Sequence, residues 1–208
     1  MATTDANRYH HGALHDALLD AALAMLEREG PAALSLRALA RAVGVSPMAP
    51  YHHFKDREAL LAAVATAGFE RLQQSKLANE AAHHDVRVAI SEGAANYVRF
   101  ILDNPNLYRL MKGPEFADRD RYPALHAAAA APAATLLRLI ESLFGDGALP
   151  QGVAQRHAQT LWALAHGIGT LALDGQLPQE TAPRLAREGA AAIIAGWLGA
   201  AVQATPRS

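Results

Sequence analysis

Between positions 51 and 57 the chain reads Tyr51-His52-His53-Phe54-Lys55-Asp56-Arg57. A hydroxyl, two imidazoles, an ammonium and a guanidinium packed so closely supply hydrogen-bond donors and cations of the kind that hold phosphate oxygens. Apolar anchoring in the same region is limited to Val45, Met48 or Pro50, and Phe54, so one side of this stretch is free to meet something outside the chain.

The elements that would carry these groups can be read from the preceding residues. Ser35 suits a helix N-cap, and Leu36, Leu39, Ala40 and Val43 recur at the spacing of one buried helical face. Gly44 then ends the helix, because glycine accepts the left-handed backbone at little steric cost. Val45 occupies the turn, Ser46 can cap a second helix, and Pro47 fits its first position. The second helix is expected over about 47–54. A helix-turn-helix used only for packing remains the plain alternative, but the glycine turn, the caps and the polar outward face occur together. Pro50 departs from an ideal helix: it lacks an N–H, crowds the carbonyl of Ser46 and pushes Ala49 away from helical angles. A distorted or late-starting first turn is therefore expected.

From Tyr9 to Leu72 the chain resembles the N-terminal DNA-binding domain of the TetR family of bacterial transcriptional regulators. The resemblance is carried by His10-His11-Gly12-Ala13-Leu14, Gly30-Pro31, Leu36-Arg37-Ala38-Leu39-Ala40, Gly44-Val45-Ser46 and Tyr51-His52-His53-Phe54-Lys55-Asp56-Arg57-Glu58-Ala59-Leu60. It implies an all-α protein with a three-helix DNA-binding head over residues 1–55. A ligand-binding and dimerisation body over 56–208 would follow, with the fourth helix as the connecting lever, giving about nine helices. On this resemblance Arg37 matches a base-reading position, and Ser46, Pro47, Met48 and Ala49 match the base-facing start of the recognition helix. Tyr51, His52, His53, Lys55 and Arg57 belong with the phosphate-contacting set. An arginine fork reaches O6 and N7 of guanine together, which is worth about 1–3 kcal/mol of discrimination, whereas Pro47, Met48 and Ala49 offer only apolar contact. Residues 95–175 resemble the WHG type of TetR C-terminal domain in Tyr97-Val98-Arg99-Phe100, Asn104-Pro105, Leu107 to Met111, Gly113-Pro114-Glu115 and Trp162 to Gly167.

Composition bounds the alternatives. The 208 residues are 51% hydrophobic, enough for a large core, and contain no cysteine, which removes disulfides and thiolate metal sites. Residues 1–57 hold six basic and six acidic side chains, so DNA affinity would depend on clustering the cations on one face and on dimerisation rather than on a net positive head. No uninterrupted apolar run of membrane length and no secretory signal pattern stand out, and the cytoplasm is the expected location. The short segments 1–7 and 205–208 are expected to fray.

Further along, Asp56 can cap a helix to about Asn79, and Asp85 one to about Asp103. A short helix over 106–112 precedes a long one over about 122–144, which Pro132 should kink or split and in which the alanine run is a strong helix former. The last two helices are expected over about 153–174 and 183–202. Tyr97, Phe100, Ile101, Met111, Phe116, Leu136, Trp162 and His166 have the aromatic and apolar character of a small-molecule site, although each could equally serve as core. Small residues on an apolar stripe favour close helix approach, and Leu161, Ile168, Gly189, Ile193, Gly196, Trp197 and Ala200 are assigned to a homodimer interface between the last two helices.

Catalysis is not indicated. His157 and His166 are nine residues apart and face opposite sides of a helix. There is no His-Glu-x-x-His, Walker loop, dinucleotide glycine motif or nucleophile elbow, and no metal or cofactor is called for. The reading is a regulator, most simply a repressor. It would bind a palindromic double-stranded DNA operator as a homodimer and be released by a small, largely apolar ligand. A helical small-molecule-binding dimer without functional DNA binding is the alternative.

Overall fold

The computed structural model describes residues 4–118, 120–145 and 149–204, with no side-chain description for 4–12, 115 and 201–204. Among these residues the regular structure is all helical, with α1 (Thr4–Glu29), α2 (Leu36–Val43), α3 (Arg57–Ala82), α4 (Val86–Asp103), α5 (Pro105–Met111), α6 (Pro123–Phe144), α7 (Val153–Leu173) and α8 (Ala182–Ala204). Eight α-helices replace the nine expected because the second helix of the helix-turn-helix is a short 3-10 turn, Ala49–His52. Residues 4–7, expected to fray, lie in α1; residues 1–3 and 205–208 fall outside the described residues.

Local chemistry accounts for most of the boundaries. Ser35 caps α2 by accepting from the Ala38 N–H at 3.1 Å, and Asp56 caps α3 by accepting from Ala59 at 2.8 Å. Gly44 ends α2 in the left-handed conformation, φ 75°, a geometry that a side chain would strain. Asp85 accepts from the Arg87 N–H at 2.9 Å just ahead of α4. Pro132 neither splits nor ends α6, which runs through it to Phe144. By length and composition α6 is apolar enough to cross a membrane, the one such helix among the described residues. Its alanine run supplies much of that hydropathy.

The chain divides into two compact units, Met1–Phe69 with Asn104–Ala127, and Glu70–Asp103 with Ala128–Ser208. The first therefore extends past the expected boundary at residue 55 and takes in the start of α3 with α5. Its core contains Leu18, Ala22, Leu26, Leu39, Leu60 and Leu107, all buried. The Glu27 carboxylate accepts from the Leu107 N–H at 2.8 Å, satisfying an orphan donor at the start of α5.

In the second unit α4 packs against both α7 and α8, so its buried residues, Ala89, Ile90, Ala94, Ala95, Val98 and Ile101, cover a broad face. Gly169 of α7 permits the closest approach: a Cβ there would lie 2.4 Å from Ile101 Cδ1, and Ile101 is fully buried. Overpacking a tight contact costs about 1–3 kcal/mol, more than the ~1 kcal/mol that alanine gains over glycine in a helix. Gly169→Ala is expected to lower the melting temperature by about 2–4 °C for each kcal/mol of net loss, measured by circular dichroism.

Candidate nucleic-acid interface

Pro50 decides the local backbone of the reading segment. Without its N–H no α-helical bond can run back to Ser46, and three-residue bonds take over: Ala49 to the Ser46 carbonyl at 3.0 Å, Tyr51 to Met48 at 3.1 Å, and His53 to Pro50 at 3.0 Å. The expected distortion thus extends over the whole short helix. Ser46 contributes its backbone carbonyl to this turn rather than a capping hydroxyl. Pro50 itself is buried, and its burial turns the flanking side chains outward: Met48 is 64% and Tyr51 43% exposed.

Arg37, Ser46, Pro47, His52 and Lys55 are also exposed, and Ala49 is half-buried. The turn packs on α2, whose outer face brings Arg37 and, one turn later, Arg41 to the surface. Arg41 was not among the residues singled out from the sequence. The signal was its four-residue spacing from Arg37, which puts both guanidinium groups on one helical face.

Two residues assigned to phosphate contact are engaged within the unit. Arg57 donates from Nε to the Leu34 carbonyl at 2.9 Å and from Nη2 to the Pro31 carbonyl at 2.6 Å, stapling the start of α3 to the segment between α1 and α2. The ring of His53 is half-buried, 5.8 Å from that of His15 and 6.4 Å from that of Phe54. The Pro31 and His15 partners are 26 and 38 positions away in sequence, out of reach of any local pattern. Glu58 anchors the other side of the same helix start, accepting from Arg121 at 2.5 Å and from the Tyr122 hydroxyl.

The residues assigned to a small-molecule site fall in different units. Met111 and Phe116 are buried in the first, where Met111 packs on Gly68. In the second, the Tyr97 hydroxyl and His166 Nδ1 share a hydrogen bond of 3.1 Å, and the Trp162 ring lies 5.0 Å from that of His166. Ile101 is buried there, while Phe100 and Leu136 are half-buried. Among the described residues, no three His, Asp or Glu side chains converge as metal ligands.

Of the residues assigned to the dimer contact, Leu161 and Ile168 are buried inside the second unit and point inward, because α7 packs on both α4 and α8. Gly189 faces Leu164, and Trp197 stacks on His157 with ring centroids 3.8 Å apart; Ile193 is half-buried. Gly196 and Ala200 are exposed, as are Ala163, Leu171, Leu185 and Ala192.

Comparison with known proteins matches this architecture. Residues 18–64 fit the family model for bacterial regulatory proteins of the tetR family, and residues 90–195 fit the tetracyclin repressor-like C-terminal domain. A protein of unknown function from Rhodococcus sp. RHA1 is 35% identical, with 90% of this chain and 97% of that one covered and a TM-score of 0.78. The TetR family transcriptional regulator PfmR from Thermus thermophilus shares the fold at 18% identity, with 85% and 96% covered and a TM-score of 0.62. A TetR family transcription regulator from Marinobacter aquaeolei VT8 does so at 22% identity, with 87% and 97% covered and a TM-score of 0.62. A helix-turn-helix head with a cationic outer face, joined to a helical body that fits the family's C-terminal model, makes this chain a member of the TetR family of bacterial transcriptional regulators.

Proposed function

We propose that this regulator is a cytoplasmic repressor that binds a palindromic operator as a homodimer and leaves it when a small ligand occupies the body. The observation that carries the reading is the outer face of the head. Arg37 and Arg41 on α2 flank a turn whose exposed side chains are Met48, Tyr51, His52 and Lys55, while the nearby hydrophobic residues Leu36, Leu39, Pro50 and Phe54 are buried. Cations and hydroxyls thus lie on one surface, as phosphate and base-edge contact requires, although the head carries no net basic charge.

In this mechanism Arg37 reads a base edge and Met48 offers apolar contact, with Pro47 and Ala49 beside it. Arg41, Tyr51, His52 and Lys55 hold phosphates. Arg57 acts through its staple to the Pro31 and Leu34 carbonyls, fixing the helix start from which Lys55 projects. Two heads would enter successive major grooves about 34–36 Å apart. Ligand occupancy reaches the head through α3, which carries residues of both units. The aromatic group of Tyr97, Trp162 and His166 supports an apolar ligand in the body.

Dimerisation is assigned to the outer face of α7 and α8. Exposed Leu171 and Leu185 supply apolar area, while Ala163, Ala192 and Gly196 allow close approach of a second copy.

Arg37→Ala is expected to weaken cognate operator binding by about 1–3 kcal/mol more than binding to random DNA, measured by fluorescence anisotropy. An equal loss on both DNAs would remove Arg37 from base reading. Lys55→Ala should weaken both alike and reduce the slope of log K against log salt by about 1. Leu171→Glu with Leu185→Glu should convert dimer to monomer in sedimentation velocity without loss of helicity; a dimer that persists would move the interface elsewhere.

A further inference from the structure

From Gly189 to its end at Ala204, α8 carries no charged residue. Its inner face is buried through Ala182, Ala186, Ala190 and Ile194. Outside that face Ala191, Ala192, Ala195, Gly196, Gly199 and Ala200 are exposed, and Leu198 is half-buried. At ~100° per residue, Leu198, Ala191, Ala195, Ala192 and Ala200 follow one another round the helix and span an arc of about 200°. An amphipathic surface helix turns polar residues to that side, whereas a helix that is apolar all round is covered all round.

One edge of the arc opens into a groove of about 300 Å³ between α8 and the start of α4. Val88, Ala191, Ile194, Ala195 and Leu198 are its apolar lining, with Ile194 buried at the base and Val88 42% exposed. The charged residues that line it, Asp85 and Arg87, are paired with each other at 2.6 Å. The Ser91 hydroxyl turns back to donate to the Arg87 carbonyl at 2.8 Å. One turn before Ala191, Arg187 donates to Glu92 at 3.3 Å. The ions around the groove thus answer one another within the chain, and what the groove offers to a partner is apolar surface.

The other edge of the arc adjoins α7, where Trp197 stacks on His157 and Gly189 meets Leu164. There it merges with the face assigned above to dimerisation. That face is short of area, because Ala163, Ala192, Gly196 and Ala200 add little to Leu171 and Leu185, whereas a stable interface takes about 800 Å² and 20–30 residues from each partner. We propose that a second copy of this chain covers the whole arc, so that the α4–α8 groove belongs to the dimer interface and Val88 is one of its apolar anchors. Each copy then contributes three helices, α4, α7 and α8. The groove supplies apolar area that the small residues lack, and the Asp85–Arg87 pair lies where an interface has its polar rim. The inference rests on the homodimer reading above and extends its surface to α4.

Because the chain has no cysteine, a Val88→Cys thiol reports on the groove alone. Its alkylation by a maleimide is expected to slow about tenfold or more as the protein is concentrated through the dimer Kd. Leu77→Cys, at a similarly exposed site on α3, should react at one rate throughout. Val88→Glu, which would bury an unpaired charge, should raise the dimer Kd about a hundredfold in sedimentation equilibrium, with helicity and melting checked by circular dichroism. A dimer in which Val88→Cys reacts at the same rate at every concentration leaves the groove to some other occupant and overturns the proposal. A folded Val88→Glu protein with the wild-type Kd, or a wild type that stays monomeric, overturns it too. The Leu171→Glu, Leu185→Glu protein run alongside separates the two readings: dissociation by that pair alone keeps the α7–α8 face and rejects the groove, and dissociation by Val88→Glu alone does the reverse.

Discussion

Pro50 has no amide hydrogen and its ring is buried, and the surface proposed to face DNA is arranged around those two facts. A missing N–H forbids the bond to Ser46, so the turn tightens to three-residue hydrogen bonding and closes by His52. Met48, Tyr51 and His52, at three- and four-residue spacing, lie on the side of the turn opposite the buried proline and reach solvent. Burial of the proline ring fixes which side of the turn faces the core. It leaves Arg37 and Arg41 of α2 as the regular, helically spaced part of the surface.

The head offsets its balanced charge by giving its ions different duties. Glu27 and Asp56 serve helix starts, where the backbone N–H groups want an acceptor, and Glu58 is held by Arg121 and Tyr122. Those acids answer local needs within the unit. Among the described cations of this stretch Arg57, itself exposed, donates to backbone carbonyls, while Arg37, Arg41 and Lys55 remain at the surface. A count over residues 1–57 finds no excess, but the outer face of α2 and the segment after the turn present Arg37, Arg41 and Lys55 to solvent.

What the sequence made legible was local, and what it concealed was long-range. Ser35, Gly44 and Asp56 mark helix ends through contacts spanning three or four residues, so their identity and spacing suffice. Pro50 signalled a distortion for the same reason; how far it ran depended on tertiary burial of the ring. The engagement of Arg57 and His53 within the unit left no local signal because their partners, Pro31, Leu34 and His15, lie far upstream. Leu161 and Ile168 read as outward-facing because α7 is apolar on more than one side: it meets α4 and α8 at once, and periodicity cannot tell an inner face from an outer one. Gly68 and Gly169 gave no periodic signal at all, and only the neighbouring side chains of Met111 and Ile101 show why those positions lack a Cβ.

The energetic scale of the proposed switch sets how such an interior should be built. Weakening operator binding a hundredfold requires about 2.8 kcal/mol of differential ligand affinity between the DNA-competent and released states. Apolar contact is poorly directional, so a greasy ligand supplies that difference only if it reshapes the packing around it. A hydrogen bond to a charged group is worth about 1.5–3 kcal/mol and depends steeply on geometry. The helix best placed to convert such a difference into a signal is α3, which carries residues of both units. A contact made in one state and lost in the other, rather than binding strength as such, is what can be converted into release of DNA.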